Sequence, residues 1–109
     1  MSGAERDPVT LHVTCPDAET ARAIAAAAVE ARLAACGNVL PEVRSVFRWE
    51  GKVETEREAL LLLKTVAGRT EALAALIRAR HPYELPAITW ERNGADAGTA
   101  AWLAEETGL

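Results

Sequence analysis

The sequence predicts an α+β domain in which one four-stranded sheet is crossed by two helices and followed by a third. Three observations carry this. Val9–Cys15 alternates apolar and polar residues, with Leu11, Val13 and Cys15 against Thr10, His12 and Thr14, the period of a strand with one buried face. An alanine-rich run after Asp17 places Ile24, Ala25, Ala28, Val29 and Leu33 at helical spacing. Two long extended stretches then meet at Glu50-Gly51, a pair suited to a tight hairpin because glycine takes positive φ at no steric cost.

The elements follow in order. Pro16-Asp17 stops the first strand, and Asp17 is a natural cap for a helix over 18–35. Alanine is the best helix former, and its small side chain lets a helix sit close to a sheet. Gly37 is expected to end that helix as the residue after its cap. Asn38–Trp49 reads as the second strand, interrupted near Pro41, with Val43, Ser45, Phe47 and Trp49 on one face and Arg44, Val46 and Arg48 on the other. Lys52–Thr65 is the third strand. Its Ala59–Leu63 segment is apolar on both faces, which predicts a central strand covered twice. A second helix opens at Gly68 or Thr70, carries Leu73, Leu76 and Ile77 on one face, and ends at His81-Pro82, since the residue before proline avoids the helical region. Leu85–Glu91 is the fourth strand, and 97–107 a short terminal helix bearing Trp102 and Leu103. Met1–Pro8 has no hydrophobic segment of the secretory kind. It reads as a disordered tail, leaving 9–109 as a single domain.

This β-α-β-β-α-β order with an added helix is the split, ferredoxin-like arrangement, for which the hydrophobic pattern favours the strand order 4-1-3-2. Cys15, the Trp49–Lys52 turn and His81–Glu84 then lie toward one end of the sheet. The hairpin arms outrun the first strand by about 15–20 Å at roughly 3.3 Å per residue. A two-stranded arm alone in water is marginal, so a partner is expected, and a second copy of the same chain supplies one.

Composition narrows the function. The formal net charge is −4 and no basic block is present, which argues against nucleic-acid and membrane-surface binding. No apolar run approaches the roughly 20 residues of a membrane span. Two cysteines without a CxxC pair fit reduced thiols in the cytoplasm. There is no GxSxG, P-loop or GxGxxG, and no nucleophile beside a base, so a binding protein is expected rather than an enzyme.

Six ordered pieces give the chain a recognisable signature: Val13-Thr-Cys-Pro-Asp17, Arg32-Leu-Ala-Ala-Cys-Gly-Asn-Val-Leu-Pro41, Val46-Phe-Arg-Trp-Glu-Gly-Lys52, Leu62-Leu-Lys-Thr65, His81-Pro-Tyr-Glu84 and Trp102-Leu103. In these the chain resembles the CutA divalent-cation tolerance family over residues 9 to 106. The resemblance implies a ferredoxin-like subunit in a compact homotrimer, a cytoplasmic location, and a link to copper and other divalent ions. The family's subunit and trimer also look like those of the PII signal-transduction proteins, so a small-ligand sensor or a scaffold without a physiological metal is the alternative. Three departures from the family pattern are visible. The cysteine linked to metal in copper-binding members lies three residues before the first-loop proline, where this chain has Val13, and its own cysteine is Cys15. A pair of histidines before Pro-Tyr is here Arg80-His81. The last strand carries Thr89-Trp90-Glu91 in place of aliphatic residues.

The metal-capable set is His81, Cys15 and Glu84, brought together if strand 4 begins where strand 1 ends. Thiolate, imidazole and carboxylate suit copper or zinc. Each has a structural reading as well: His81 as a helix-capping residue, Cys15 as a small buried hydrophobe, Glu84 as part of a corner stiffened by Pro82 and Pro86. Cys36 is too far along the first helix to pair with Cys15. Trp49, Lys52, Lys64 and Tyr83 are candidates for a ligand or interface cleft. Lys64 follows the leucines of strand 3, and burying it would require an interface carboxylate or a bound anion.

Overall fold

The computed structural model describes residues 3–109. Its strands are β1 (Pro8–Cys15), β2 (Cys36–Trp49), β3 (Lys52–Val66) and β4 (Thr89–Arg92), and its helices α1 (Ala18–Glu30), α2 (Thr70–Arg80) and α3 (Ala97–Glu106). The sheet order is β2-β3-β1-β4, with every neighbouring pair antiparallel. This is the expected order read from the other edge, and the fold is ferredoxin-like. Of the tail expected over 1–8, Met1 and Ser2 lie outside the described residues. Gly3–Arg6 forms a 3-10 turn and Pro8 already opens β1.

The core lies between the sheet and the first two helices. Leu11, Val13 and Cys15 of β1 join Ala59, Leu61 and Leu63 of β3, and onto them pack Ile24, Ala25 and Ala28 of α1 and Leu73 and Ile77 of α2. Asp17 caps α1 by accepting from the Thr20 amide at 2.7 Å. Its hydrogen bonds from Thr20 hold its carboxyl below the usual range.

The end of α1 differs from the sequence expectation. The helix stops at Glu30, and the left-handed residue is Arg32, at φ 59°, rather than Gly37. The amide of Arg32 donates to Val29 O at 3.1 Å and that of Leu33 to Ala28 O at 2.9 Å, the paired bonds of a Schellman cap. Ala35 then donates to Lys64 O and the chain enters β2. Gly37 sits inside β2 opposite Leu63. A Cβ there would meet Ala25 Cβ at 2.7 Å, so glycine is required by the close approach of α1 to the sheet.

Two further differences bear on function. The fourth strand is only Thr89–Arg92, because Pro86 has no amide for a ladder and its neighbours run irregularly. The third strand is covered on one face, not two. Leu61 and Leu63 are fully buried, whereas Leu60 and Leu62 on the opposite face are half-buried and Lys64 is exposed.

The hairpin is as long as expected. Glu50 and Gly51 both take positive φ, at 49° and 81°, the two-residue turn that matches strand twist. Strand β1 pairs with β3 only from Ala59 to Val66, so Lys52–Glu58 and its β2 partners extend about 20 Å beyond it at roughly 3.3 Å per residue. The longest dimension of the chain is 45 Å, against 24 and 23 Å across.

Gly37→Ala should lower unfolding free energy by about 1–3 kcal/mol through overpacking. Gly94→Ala, where nothing lies within 4 Å, should be near neutral. Urea titration compares the two, and equal stability of both variants would show that α1 can move off the sheet without cost.

Candidate functional site

The polar site forms where β1 ends, the arm begins and α2 stops. Three short-range features build it. Helix α2 terminates at His81, whose amide donates to Ile77 O at 2.8 Å. Pro82 prevents continuation. The corner that follows folds back so that the His81 and Tyr83 rings lie 4.7 Å apart.

His81 is 7 % exposed and both its ring nitrogens are engaged. Nε2–H donates to Thr14 O at 2.8 Å, and Nδ1 accepts from the Tyr83 amide at 3.1 Å. These partners fix the proton on Nε2. Tyr83 in turn donates its hydroxyl to Glu58 Oε2 at 2.6 Å. Glu58, at 6 % exposure, is the residue that sequence reasoning missed. In the sequence it is one of the alternating acids Glu54, Glu56 and Glu58 of the arm. Only the bulge near Pro41, which sets it opposite Val43, and the returning Tyr83 mark it as buried.

Cys15 is completely buried beside this group. Burial pushes its thiol up to about 11, with the charges of Glu58 and Asp17 adding to the effect. Burial, the hydrogen bond to Glu58 and its charge likewise push the Tyr83 hydroxyl upward. The corner therefore keeps its thiol and phenol protonated at neutral pH, and a reactive thiolate does not form there.

The structure brings Cys15, His81 and Tyr83 together around Glu58. It does not gather the other candidates. Glu84 is exposed and forms no hydrogen bond with Cys15 or His81 among the described residues. Trp49 and Lys52 face one another across the hairpin turn, at the far end of the arm. Lys64 lies at the opposite end of β3, between Cys36 and Thr10. Among the described residues no three His, Cys, Asp or Glu side chains come close enough to share a metal ion. A resident copper held by His81, Cys15 and Glu84 of one chain does not fit this geometry: the imidazole would have to give up a hydrogen bond and the thiol a strongly held proton.

The protonated corner predicts alkaline sensitivity. Cys15 titrates at about 11 in the folded chain against an ordinary 9.0, so between these values the unfolded chain has lost a proton that the folded chain keeps. Stability should fall as pH rises through that window, by up to about 1.4 kcal/mol per pH unit for one proton. Urea unfolding from about pH 8 to about pH 11 measures it, and Cys15→Ala should flatten the slope. An identical slope in that variant would remove Cys15 as its source.

The chain is similar to a coherent set of proteins. The family model described as CutA1 divalent ion tolerance protein matches residues 9–106. Divalent-cation tolerance protein CutA of Thermus thermophilus is 41% identical over 102 residues, covering 88% of this chain and 94% of that protein. Protein CutA of Mus musculus is 43% identical over 76 residues, 70% of this chain, and the match spans only 43% of the mouse protein's length. The solved divalent cation tolerance protein (Cut A1) from Thermus thermophilus superposes with a TM-score of 0.89 at 39% identity, over 93% of this chain and 99% of that one. A match over nearly the whole domain in both sequence and fold places this chain in the CutA1 divalent ion tolerance family.

Proposed function

We propose that the chain serves divalent-cation tolerance as a cytoplasmic homotrimer, a binding protein and not a catalyst, and that it meets copper or another divalent ion in clefts between copies. The observation that carries this reading is the unsupported arm. Val46 is 68% exposed, Val53 64%, Trp49 43% and Phe47 39%. Apolar side chains grouped on a two-stranded ribbon are poorly stable in water and mark an interaction surface. Phe47 and Trp49 lie on one face and Val46 and Val53 on the other, so copies laid against both faces of the arm would bury them. The family implied by the sequence supports three copies, and two free thiols suit a reducing compartment.

His81 and Cys15 are committed within their own chain, so an ion held between copies, which would draw donors from a second chain, asks less of this corner than one held by a single chain. In such an assembly Trp49 and Lys52 of one copy are free to approach the His81–Glu84 corner of another. Within a single chain the length of the arm keeps Trp49 and Lys52 away from that corner. Glu84 is exposed and is a candidate donor that the second copy would complete, and His81 would join it only by releasing the Tyr83 amide from Nδ1. Tyr83 and Glu58 would hold the corner in position. A small-ligand sensor of the PII kind would use the same clefts, with Lys52 as the cationic group.

Sedimentation in neutral buffer should give one species near three times 11.7 kDa. Trp49→Ala should weaken assembly by about 2 kcal/mol or more while leaving the subunit folded, since buried aromatics dominate interfaces. A well-behaved monomer at micromolar concentration would refute the assembly. Calorimetric titration of the reduced protein with Cu(I), Cu(II) and Zn(II) should show binding that weakens as pH falls through the histidine range and that His81→Ala diminishes. Unchanged binding in that variant would move the ion elsewhere, and no binding of any of the three would favour the sensor.

A further inference from the structure

Helices α1 and α3 both end in a left-handed residue, but not in the same kind of residue. At α3 it is Gly108, at φ 76°; its amide donates to Glu105 O at 3.1 Å and that of Leu109 to Ala104 O at 2.8 Å. At α1 it is Arg32, at φ 59°. Glycine takes this conformation freely, whereas a Cβ crowds the neighbouring carbonyl. Strain of this kind persists where the surroundings over-determine it. At Arg32 the demand falls on the side chain, whose Nη1 donates to Glu106 O at 3.2 Å. Arg69, in the 3-10 turn Ala67–Arg69, donates from Nε to Thr107 O at 2.8 Å.

The last carbonyls of a helix have no partner within it. At α3 the accounting closes only with the two arginines. Leu103 O, Ala104 O and Glu105 O accept from the amides of residues 107–109. Glu106 O and Thr107 O accept from guanidinium groups that come from two distant parts of the chain. Among the described residues no other hydrogen bond or ion pair joins 97–109 to the rest of the molecule. Little else holds this segment. A helix of 10 residues is marginal by itself. Glu105 and Glu106 stand at its negative end, with no basic residue in the last turn. Of its helical side chains only Leu103 and Ala104 are buried, and Leu103 joins Ala35 and Val66 in a small cluster apart from the main core.

We infer that Ala97–Leu109 is a strap that opens as one unit over the Ala35–Val66 end of the sheet, and that Arg32 and Arg69 are the latch that closes it. Opening breaks two charge-assisted hydrogen bonds and one small apolar contact, and it leaves the core between the sheet, α1 and α2 intact. Segments with so few ties open locally, well below the free energy of global unfolding. Arg32 is then a positioning residue. Its backbone ends α1 at a cost that glycine would avoid, and its side chain does what glycine cannot. The strap controls how often the Ala35–Val66 end is uncovered. This inference stands apart from the self-association reading, since every group it uses belongs to one chain.

Segment-resolved amide hydrogen exchange tests this in the natural chain, Arg32→Gly, Arg69→Gln and Gly37→Ala, at one protein concentration where sedimentation shows a single assembly state. In the natural chain the amides of 101–109 should exchange at least about tenfold faster than those of β1 and of Ala59–Val66. Arg32→Gly keeps the left-handed turn and removes only the guanidinium. It and Arg69→Gln should each speed exchange in α3 at least about tenfold, the size expected for a hydrogen bond to a charged group. Gly37→Ala, which strains the main core, should speed exchange in β1 and leave that of α3 unchanged. Arg69→Lys replaces any Arg69→Gln chain whose circular dichroism shows it unfolded, and should loosen α3 in the same direction, because an ammonium lacks the guanidinium fork. Exchange of α3 at the rate of β1, or a shift of both together in Gly37→Ala, would overturn the strap. Unchanged exchange of α3 in Arg32→Gly would leave Arg32 the sole task of ending α1, and unchanged exchange on replacing Arg69 would remove that residue's role; either result would overturn the double latch.

Discussion

Strand β3 is 15 residues long and the strand that supports it, β1, is 8. Much of this molecule follows from that mismatch. The shared length builds a core that is complete on one face, with Leu11, Val13, Leu61 and Leu63 sealed under α1 and α2. The unshared length becomes an arm with no layer beneath it. Such an arm retains its backbone ladder but leaves Val46, Phe47, Trp49 and Val53 in water. The cross-strand pair Arg44–Arg57 also sets like charges opposite one another, and it is relieved by Glu42, whose carboxylate lies 3.5 Å from Arg57 and 3.9 Å from Arg44. These exposed ion pairs contribute little to stability. The arm's order has to come from what it contacts.

The same mismatch creates the polar corner. Glu58 is the last residue of β3 before β1 begins to pair, so it stands where core gives way to arm. Burying a carboxylate there is tolerable because Tyr83 returns to donate to it, and Tyr83 is placed by His81 and Pro82 at the end of α2. The chain of bonds from Thr14 through His81 and Tyr83 to Glu58 ties three elements together. It also uses up the groups that a metal would want. A histidine with both nitrogens committed and a thiol held protonated make a structural joint, and under the proposed reading an ion would be held at a surface formed between copies more than by this joint alone.

Sheet order, helix count, hairpin turn and the family were legible in the sequence because each rests on local pattern: alternation in β1, alanine periodicity in α1, Glu50-Gly51 at the turn. The misread features depend on tertiary contact. Gly37 resembles a helix terminator, and only the 2.7 Å approach to Ala25 shows why it is glycine. Arg32 in a left-handed cap carries no sequence mark. The double coverage expected of Ala59–Leu63 concerns burial, and a single chain supplies only half of it. At the site, convergence of Cys15 with His81 followed from topology. The role of Glu58 did not, since nothing in its immediate sequence separates it from Glu54 and Glu56. Whether His81 was free to bind a metal could be decided only by its hydrogen-bond partners.

On the proposed reading, association between copies orders the arm. Amide hydrogen exchange resolved by segment and measured across a wide range of protein concentration tests it most directly. Amides of Val43–Glu58 should be strongly protected when the chain is concentrated and lose that protection on dilution. Those of β1 and of Ala59–Val66 should keep theirs throughout. Protection of the arm that does not change with concentration, in a chain shown by sedimentation to be a monomer on dilution, would contradict the account.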